Sequence, residues 1–497
     1  MLAPLRASRV PNGQDNRGAG QAACRYSCAV PSSITCPPQL LSARRQCGLA
    51  LLLLLVAGFR HHLVWGESDR LPFNLRPWLD AGETACLLGF AWFGARGWLA
   101  AIAAVRERTP GIRVLVRLSL PLLLLGVLAP PFLSADVADY VMRGRVLSLH
   151  GGNPYVNVAA EYPADPFVAF GDAAWKQFPL PYGPLVAELQ GALAWLGASC
   201  TFLPARAQFL VSVGLFKAVF AGCLLACALL ARRLHQRLRV GDGDVAFLAV
   251  LWCPLLLNEA LASAHNEALL LLTILLAIEG ALRSGVGAGA FALGLGTLTK
   301  IVPVLLAPPL LAMAIRLRRV GAFACGVAGA TAVLALEWWR FFLEPGAREF
   351  LQRQSEFTAS SVVWALANVL GVAVAPALVV GRVVVVVVLA ITTLRIWREP
   401  TAPRLVHGAA SVLATMACCG LAGFGPWYHV WWVPLALLTG PGYLQRFACA
   451  VTFLSPLGYG LWTFSRELGV WHQALVFVTG IGAPALLALA KRLPAPA

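Results

Sequence analysis

Residues 134–184 read SADVADYVMRGRVLSLHGGNPYVNVAAEYPADPFVAFGDAAWKQFPLPYGP and form a long polar segment between apolar runs. Its first acids, Asp136 and Asp139, follow the apolar run 118–132, so we expect them where a membrane span meets water. Ionisable groups at that depth are costly and are usually kept for function. The sequence therefore predicts a membrane-embedded frame built around this segment.

The beginning of this segment has the pattern of a short helix. A period of 3.6 residues from Asp136 places Asp136, Asp139 and Arg143 on one face and Arg145 on the other. Asp139 and Arg143 have the spacing of a stabilising acid-before-base pair. The residues Gly-Gly-Asn-Pro at 151–154 predict the helix end, because proline disfavours helical backbone before it and glycine permits a left-handed exit.

The composition excludes a soluble protein. Of the 497 residues, 59% are hydrophobic and 12% are charged, whereas roughly a quarter of the residues in soluble domains are charged. Apolar runs of about 15 to 25 residues recur and match the length that crosses a bilayer. These features predict an all-α, polytopic transmembrane helical bundle.

The net charge of +16 does not indicate a nucleic-acid partner, because Arg and Lys lie in short clusters between apolar runs. That distribution follows the positive-inside rule and predicts about 11 to 14 spans of the cytoplasmic membrane. Residues 1–43 are predicted to be a disordered cytoplasmic tail and residues 44–497 a single transmembrane domain. Extracytoplasmic loops are predicted near 133–205 and 340–365, and the family resemblance described below implies amphipathic helices in the first.

The thirteen cysteines lie mostly inside apolar runs and indicate no disulfide framework. Cys24, Cys28, Cys36 and Cys47 are irregularly spaced without a paired CxxC, so no zinc site is predicted. We expect no cofactor, and the sequence leaves dependence on a divalent metal open.

The predicted topology brings several polar groups to one outer face. They are the segment beginning at Asp136, the turn at 258–267, Lys300, the region 340–363 and the cluster 427–429. Lys300 stands where two short apolar segments meet, a place where membrane proteins put ligand-binding groups. A single active site on the outer face is consistent with this arrangement.

Four motifs in this order resemble a known class of enzymes. They are SADVADYVMRGRVLSLHGGNPY at 134–155 with PYGPL at 181–185, SAHNEALLLLTILLA at 263–277, LGLGTLTKIVPVLLAPPLL at 293–311 and GPWYHVWWVPLALL at 425–438. Together they resemble the GT-C class of integral-membrane glycosyltransferases, and within it the bacterial family of polyprenyl-phosphomannose-dependent α-mannosyltransferases.

The resemblance implies a catalytic aspartate at the start of the first extracytoplasmic loop, which matches Asp136. The chain departs from the family pattern nearby, since Ala135 stands at the first acid of a pair, Asp139 at an arginine, and Met142-Arg143 at Trp-Asp. The implied reaction moves a hexose, expected to be mannose, with inversion from a polyprenyl-phosphate sugar donor to a lipid or glycan acceptor outside the membrane. Membrane lipids are the other expected partners.

Two acids are candidates for the catalytic base. Asp136 would take the proton of an acceptor hydroxyl as it attacks the anomeric carbon, and the structural alternative is a helix cap together with Ser134. Asp139 would share that role, and its alternative is the ion pair with Arg143.

The donor phosphate needs cationic partners, and the candidates are Arg143, Arg145 and Lys300. For the two arginines the alternative is a solvated loop face or contact with lipid headgroups. Lys300 has the compact charge that suits a phosphate, and its alternative is snorkelling to the outer headgroups.

The substrate-binding candidates are polar or aromatic: His265, Asn266, Glu267, Tyr182, Trp427, Tyr428 and His429. The first three would bind sugar hydroxyls or cap the helix that starts at Glu267. The aromatic residues at 427–429 would stack on sugar or prenyl groups, or form an interfacial belt. Tyr182 is otherwise loop structure. The rival function is a transporter or flippase for a lipid-linked or amphipathic substrate.

Overall fold

The computed structural model describes the chain in ten ranges. They are residues 37–65, 76–131, 133–134, 136–171, 175–238, 242–283, 285–344, 346–347, 360–465 and 470–490. Within them the secondary structure is helical, with one isolated antiparallel bridge between Ser360 and Gly423. The predicted all-α bundle is therefore confirmed. Residues 1–36, most of the predicted tail, lie outside the described part.

Nineteen α-helices occur in the described residues: α1 Pro38–Trp65, α2 Arg76–Glu107, α3 Ile112–Leu128, α4 Asp136–Ser148, α5 Pro184–Ala198, α6 Ala205–Leu238, α7 Gly243–Leu251, α8 Pro254–Leu256, α9 Glu267–Arg283, α10 Val286–Thr297, α11 Ala307–Arg316, α12 Val320–Phe341, α13 Val362–Leu370, α14 Val374–Arg398, α15 Ala402–Thr415, α16 Val433–Leu437, α17 Tyr443–Ser465, α18 Val470–Phe477 and α19 Ala483–Leu489. Short 3-10 or π segments join several of them, including Leu257–Ala262, Val302–Leu306, Met416–Gly420 and Pro426–Trp431.

Six helical segments in the described residues are long and apolar enough to cross a membrane, and a seventh results if one bent pair counts as a span. That pair, 243–251 with 254–262, is bent by 42°. Other apolar runs in the described residues form shorter helices, Val286–Thr297 and Val302–Arg316 among them. The 12 residues of α10, for example, extend only about 18 Å.

The first helix starts earlier than the sequence predicted. Helix α1 begins at Pro38, six residues before the predicted boundary at residue 44. Proline is favoured in the first turn of a helix because its missing N–H would have no partner there. The helix therefore includes the polar residues that precede the apolar run.

Two buried indoles join the helices of the first half of the chain. The Nε1 of Trp98 in α2 donates to the carbonyl of Ala249 in α7 at 3.2 Å. The Nε1 of Trp252 donates to Oγ of Ser119 in α3 at 2.8 Å. Each indole places a large apolar surface in the core and still satisfies its N–H group.

The polar segment folds as its pattern predicted at the start. Helix α4 begins at Asp136 and ends at Ser148. Gly151 then has φ 66°, and the N–H of Gly152 donates to the carbonyl of Val146 at 2.9 Å. The predicted helix end is confirmed, because a left-handed glycine allows the chain to turn back.

The end of this loop is bound to the junction that contains Lys300. The N–H of Gly183 donates to the carbonyl of Thr299 at 2.9 Å, and that of Leu185 donates to Leu298 at 3.2 Å. A Cβ at position 183 would collide with the Leu298 carbonyl, so the backbones approach this closely only with glycine. The loop and the Lys300 junction therefore form one wall.

We expect Gly183→Ala to separate these backbones and to weaken the docking of the loop. The cost should be roughly 1–3 kcal/mol, as for other overpacked sites. It should appear as a lower midpoint of thermal unfolding in detergent and as faster proteolysis of the loop before residue 183.

Gly214→Ala is the matched control, because nothing lies within 4 Å of a Cβ there. The replacement lies inside α6 and should be neutral or stabilising. An unchanged midpoint and unchanged proteolysis in Gly183→Ala would show that the docking tolerates a side chain.

Candidate functional site

Asp136 lies at the first turn of α4 and has its carboxylate at the centre of a polar cluster. Its backbone N–H donates to Oγ of Ser134 at 3.1 Å, and its side chain is 18% exposed. The hydroxyl of Tyr182 donates to Oδ2 at 3.2 Å. The Nε2 of His265 lies 3.9 Å from the same oxygen. Two donor groups therefore face Oδ2 of a carboxylate that remains partly exposed.

Tyr182 is held in place by two other tyrosines. Its hydroxyl lies 3.4 Å from that of Tyr140, and the two rings meet edge to face at 5.5 Å. The hydroxyl of Tyr155 donates to the Tyr182 carbonyl at 2.9 Å. Burial, together with the negative charge of Asp136, raises the pKa of Tyr182 well above its ordinary value. The phenol therefore stays protonated and acts as a donor to Asp136.

His265 follows a break in the helical backbone. The π segment Leu257–Ala262 precedes it, and Ala264 adopts φ 57°, an uncommon conformation for a residue other than glycine. Such π segments and strained residues are frequent at functional sites. The break directs the His265 ring back towards Glu259, so that Nδ1 lies 3.0 Å from the Glu259 carbonyl and 3.2 Å from its Oε2.

Glu259 is the site residue that the sequence interpretation missed. Its side chain is fully buried with His265, and the Asn258 amide donates to its Oε1 at 3.1 Å. Its signal in the sequence is a carboxylate in a largely apolar stretch, which by itself marks a candidate functional group. The His265-Asn266-Glu267 motif, which begins six residues later, is the more prominent polar signal in this part of the sequence.

The surroundings of His265 favour the charged imidazolium. Burial alone would lower its pKa, but the hydrogen bond with Glu259 and the negative charges of Asp136, Glu259 and Glu267 outweigh burial and raise the pKa to about 9. His265 lies in the loop after the broken helix, between the carboxylates of Asp136 and Glu259. At neutral pH the His265 ring is therefore a cation.

Lys300 forms the second charged centre of the cluster. Its Nζ lies 2.6 Å from Oε1 of Glu267, the first residue of α9. Its Nζ also lies 5.4 Å, 5.1 Å and 5.4 Å from the ring centroids of Tyr182, Tyr428 and Trp431. Aromatic faces attract a cation in this way. Burial lowers the pKa of Lys300, but Glu267 and its other partners raise it above the ordinary value, so the ammonium stays charged.

The predicted aromatic group at 427–429 is divided between two environments. Trp427 stacks on the His265 ring with centroids 4.8 Å apart, and Tyr428 lies against Lys300. His429 instead has Nε2 2.9 Å from the Gly480 carbonyl and accepts from Trp432 Nε1 at 3.1 Å. Both ring nitrogens of His429 have hydrogen-bond partners within the helical bundle, so this residue stabilises the bundle.

Arg143, Arg145 and Asp139 have partners of their own. Arg143 and Asp139 form a buried pair at 2.8 Å. Arg145 Nε donates to both oxygens of Asp165, at 3.1 Å and 2.8 Å, and its guanidinium lies 3.8 Å from the Phe167 ring centroid. Of the three cations predicted to bind phosphate, Lys300 is therefore the one that we place in the Asp136 cluster.

Several buried polar atoms in the cluster lack a hydrogen-bond partner among the described residues. They are Nε2 of His265, Nδ2 of Asn266 and Oδ1 of Asn258. Buried polar groups in folded proteins are nearly always paired, so such a group of exceptions is what a site for a polar ligand requires. The described residues contain no cluster of three or more His, Cys, Asp or Glu side chains placed to hold a metal ion.

Comparison with known proteins places this cluster in a family context. Residues 49–317 match the family described as "Alpha-(1->6)-mannopyranosyltransferase, N-terminal domain". A probable alpha-(1->6)-mannopyranosyltransferase of Mycolicibacterium smegmatis (strain ATCC 700084 / mc(2)155) is 34% identical over 163 residues, which cover 32% of this chain and 27% of that protein.

A second relative gives a similar result. An alpha-(1->6)-mannopyranosyltransferase of Mycobacterium tuberculosis (strain ATCC 25618 / H37Rv) is 30% identical over 167 residues, 33% of this chain and 26% of that protein. The chain thus matches about a quarter of the length of each of these curated relatives. Asp136, Glu259 and Lys300 all lie inside the region that matches the family.

The raised pKa of His265 predicts a pH-dependent stability. Because the folded pKa of about 9 exceeds the ordinary value of 6.5, the contribution of His265 is fully present below pH 6.5 and is lost as the pH rises through about 9. The midpoint of thermal unfolding should therefore fall more steeply between about pH 6 and pH 10 in the wild type than in His265→Gln.

His150→Gln is the control, because this histidine pairs with Asp165 in the loop, outside the cluster. It should keep the steep dependence of the wild type. Parallel curves for the wild type and His265→Gln would contradict a charged His265 in the folded state.

Proposed function

Because this chain belongs to the alpha-(1->6)-mannopyranosyltransferase family, we propose that it is a membrane mannosyltransferase. It transfers mannose from a polyprenyl-phosphate carrier to a hydroxyl of a lipid or glycan acceptor on the outer side of the cytoplasmic membrane. The observation that carries this proposal is the partly exposed carboxylate of Asp136, which accepts a hydrogen bond from Tyr182 and lies near His265, beside a buried but charged lysine.

Asp136 acts as the general base. The Tyr182 hydroxyl and His265 Nε2 both face Oδ2, which leaves Oδ1 to take the proton of the acceptor hydroxyl. As the hydroxyl oxygen bonds to the anomeric carbon, the bond from that carbon to the phosphate oxygen breaks. This single displacement inverts the anomeric configuration. Asp139 is less suited to the role because it is buried in its pair with Arg143.

His265 and Glu259 position and charge the base. The imidazole of His265 lies near Oδ2 of Asp136, and Glu259 fixes the ring by contacts to Nδ1. Neither group needs to exchange a proton with substrate in this scheme. They are positioning residues, and their effect reaches the reaction through Asp136.

Lys300 stabilises the departing phosphate. A polyprenyl phosphate is a good leaving group, so the requirement is for positive charge near its oxygens and not for an acid. Glu267 holds the ammonium between the rings of Tyr182, Tyr428 and Trp431 while no donor is bound. The anionic donor then joins Glu267 as a second partner of the same cation.

The proposed polyprenyl-phosphate donor agrees with the lack of nucleotide-binding motifs in the sequence. The chain has no GxGxxG turn between a strand and a helix and no polar region large enough for a nucleotide-binding domain. A lipid carrier also suits a site on helices that border the bilayer. The distribution of basic clusters supports an outer location for the 134–204 region.

Purified protein should transfer radiolabelled mannose from a polyprenyl-phosphate donor to acceptors in a membrane extract. Asp136→Asn should lower turnover by roughly 10²–10⁴-fold, because it keeps the size of the side chain but removes the proton acceptor. Asp139→Asn, measured in parallel, should lose far less turnover and reveal only the cost of breaking its ion pair.

Two results would overturn this scheme. Near-normal turnover in Asp136→Asn with an inactive Asp139→Asn would transfer the base role to Asp139. Efficient transfer from GDP-mannose in a purified system without lipid carrier would reject the lipid-linked donor.

Lys300→Met keeps the aliphatic length of the side chain and deletes its charge. We expect the KM for the polyprenyl-phosphate donor to rise or turnover to fall by about tenfold or more, the effect of losing a charge-assisted contact. Lys300→Arg should recover part of the loss. Expression and thermal stability of both variants should be measured, because Glu267 is left without its cation in Lys300→Met.

The double variant Glu267→Gln/Lys300→Met separates the loss of the phosphate contact from the effect of an unpaired Glu267. It removes the carboxylate as well as the ammonium. If this double variant regained wild-type donor kinetics, Lys300 would serve only to neutralise Glu267.

A further inference from the structure

A large apolar cavity lies between α14, α15 and the first turn of α17. Its free volume is about 2140 Å³, including the space at its open mouth. Val384, Val388 and Ile391 line it from α14, and Leu444 and Phe447 line it from α17. It is separate from the Asp136 cluster, none of whose residues line it.

The hydroxyl groups in its wall do not make it polar. Ser411 and Thr415 donate to the carbonyls of His407 and Ser411 at 2.8 Å each, and Thr439 donates to Ala436 at 2.6 Å. These hydroxyls use their protons within their own backbone segments. Apart from its ionisable residues, the cavity therefore presents a surface suited to hydrocarbon.

The three basic residues of the lining, Arg395, Arg404 and His407, lie at one end. Arg395 is in the last turn of α14, while Arg404 is in the first turn of α15 and His407 follows it. The connecting stretch 395–404 contains three arginines and one glutamate, a net charge of +2. Glu399 pairs with Arg404 and so leaves positive charge at this end.

This basic end is far from the proposed active site. The guanidinium of Arg316 lies 5.9 Å from the ring centroid of Trp397, which places the end of α11 at the basic end. Lys300 precedes the helical stretch 302–316, which is about 20–25 Å long. A headgroup at the basic end therefore cannot reach Lys300 or Asp136.

The dimensions of the cavity match one leaflet of a bilayer. From Arg395 to Val384 along α14 is 11 residues, or about 16 Å at 1.5 Å per residue. Half of a hydrocarbon core about 30 Å thick is about 15 Å. That depth fits the acyl chains of a membrane phospholipid, whereas a long polyprenyl chain would extend beyond it.

We propose that this cavity is a binding site for an anionic glycerophospholipid, with its phosphate at Arg395, Arg404 and His407 and its acyl chains along α14. The site goes beyond the proposed transferase activity and does not depend on it. In the positive-inside topology the basic end faces the cytoplasm, where anionic headgroups attract basic residues.

Native mass spectrometry of the full-length protein in detergent tests this site. Phosphatidylglycerol and phosphatidylcholine with identical acyl chains would be added in equal amounts, and we expect phosphatidylglycerol to be retained preferentially. Arg395→Gln/Arg404→Gln should lower its affinity about tenfold or more, since charge-assisted contacts are lost. Arg108→Gln/Arg113→Gln, which changes two exposed arginines at the turn between α2 and α3, should leave the affinity unchanged.

A second variant keeps the test decisive if the arginine variant fails to fold. Ser411→Trp should fill the apolar part and lower phosphatidylglycerol binding with the basic end intact. Equal retention of the two lipids, or equal losses in the two arginine double variants, would overturn the proposal. A polyprenyl phosphate that displaced phosphatidylglycerol at equal concentration would also overturn it and assign the cavity to the carrier. Because binding is measured directly, an inactive transferase would not affect any of these results.

Discussion

The polar cluster around Asp136 is organised by the free-energy cost of burying a charged side chain away from water. An isolated buried carboxylate or ammonium would be neutralised or would destabilise the fold. The cluster avoids this by pairing each buried charge: His265 between Glu259 and Asp136, and Lys300 with Glu267. Tyr182 joins the two groups, because its hydroxyl binds Asp136 and its ring faces Lys300. Each basic side chain of the cluster thus lies beside a carboxyl group.

The sequence predicts those parts of the fold that depend on local properties of the chain. Composition and basic clusters indicate a helical membrane bundle because they reflect transfer to the bilayer, which is a local property of each segment. Helix α4 and its end were predictable for the same reason, since 136–154 carries its own helix and turn signals. The division of apolar runs into short helices was harder to predict, because the packing of such helices is decided by distant neighbours.

The candidate site shows the same limit at the level of single residues. Asp136, His265 and Lys300 come from separate motifs that the topology places on one side, so their convergence could be predicted. The contacts of Arg145 with Asp165 and of His429 with Gly480 depend on loops meeting in three dimensions, and no spacing rule gives them. Glu259 was missed because the π segment turns it towards His265, and its position in the sequence resembles that of a residue facing away.

The π segment before His265 also has a consequence for how this protein can vary. In Leu257–Ala262 the hydrogen-bonded turn spans one residue more than in an α-helix, as in the bond from the Ser263 N–H to the Asn258 carbonyl at 2.8 Å. Deleting a single residue there would restore α-helical hydrogen bonding and remove the wide turn that precedes His265. A change of one residue in the length of this segment would therefore disconnect Glu259 from His265, even where every other side chain is kept.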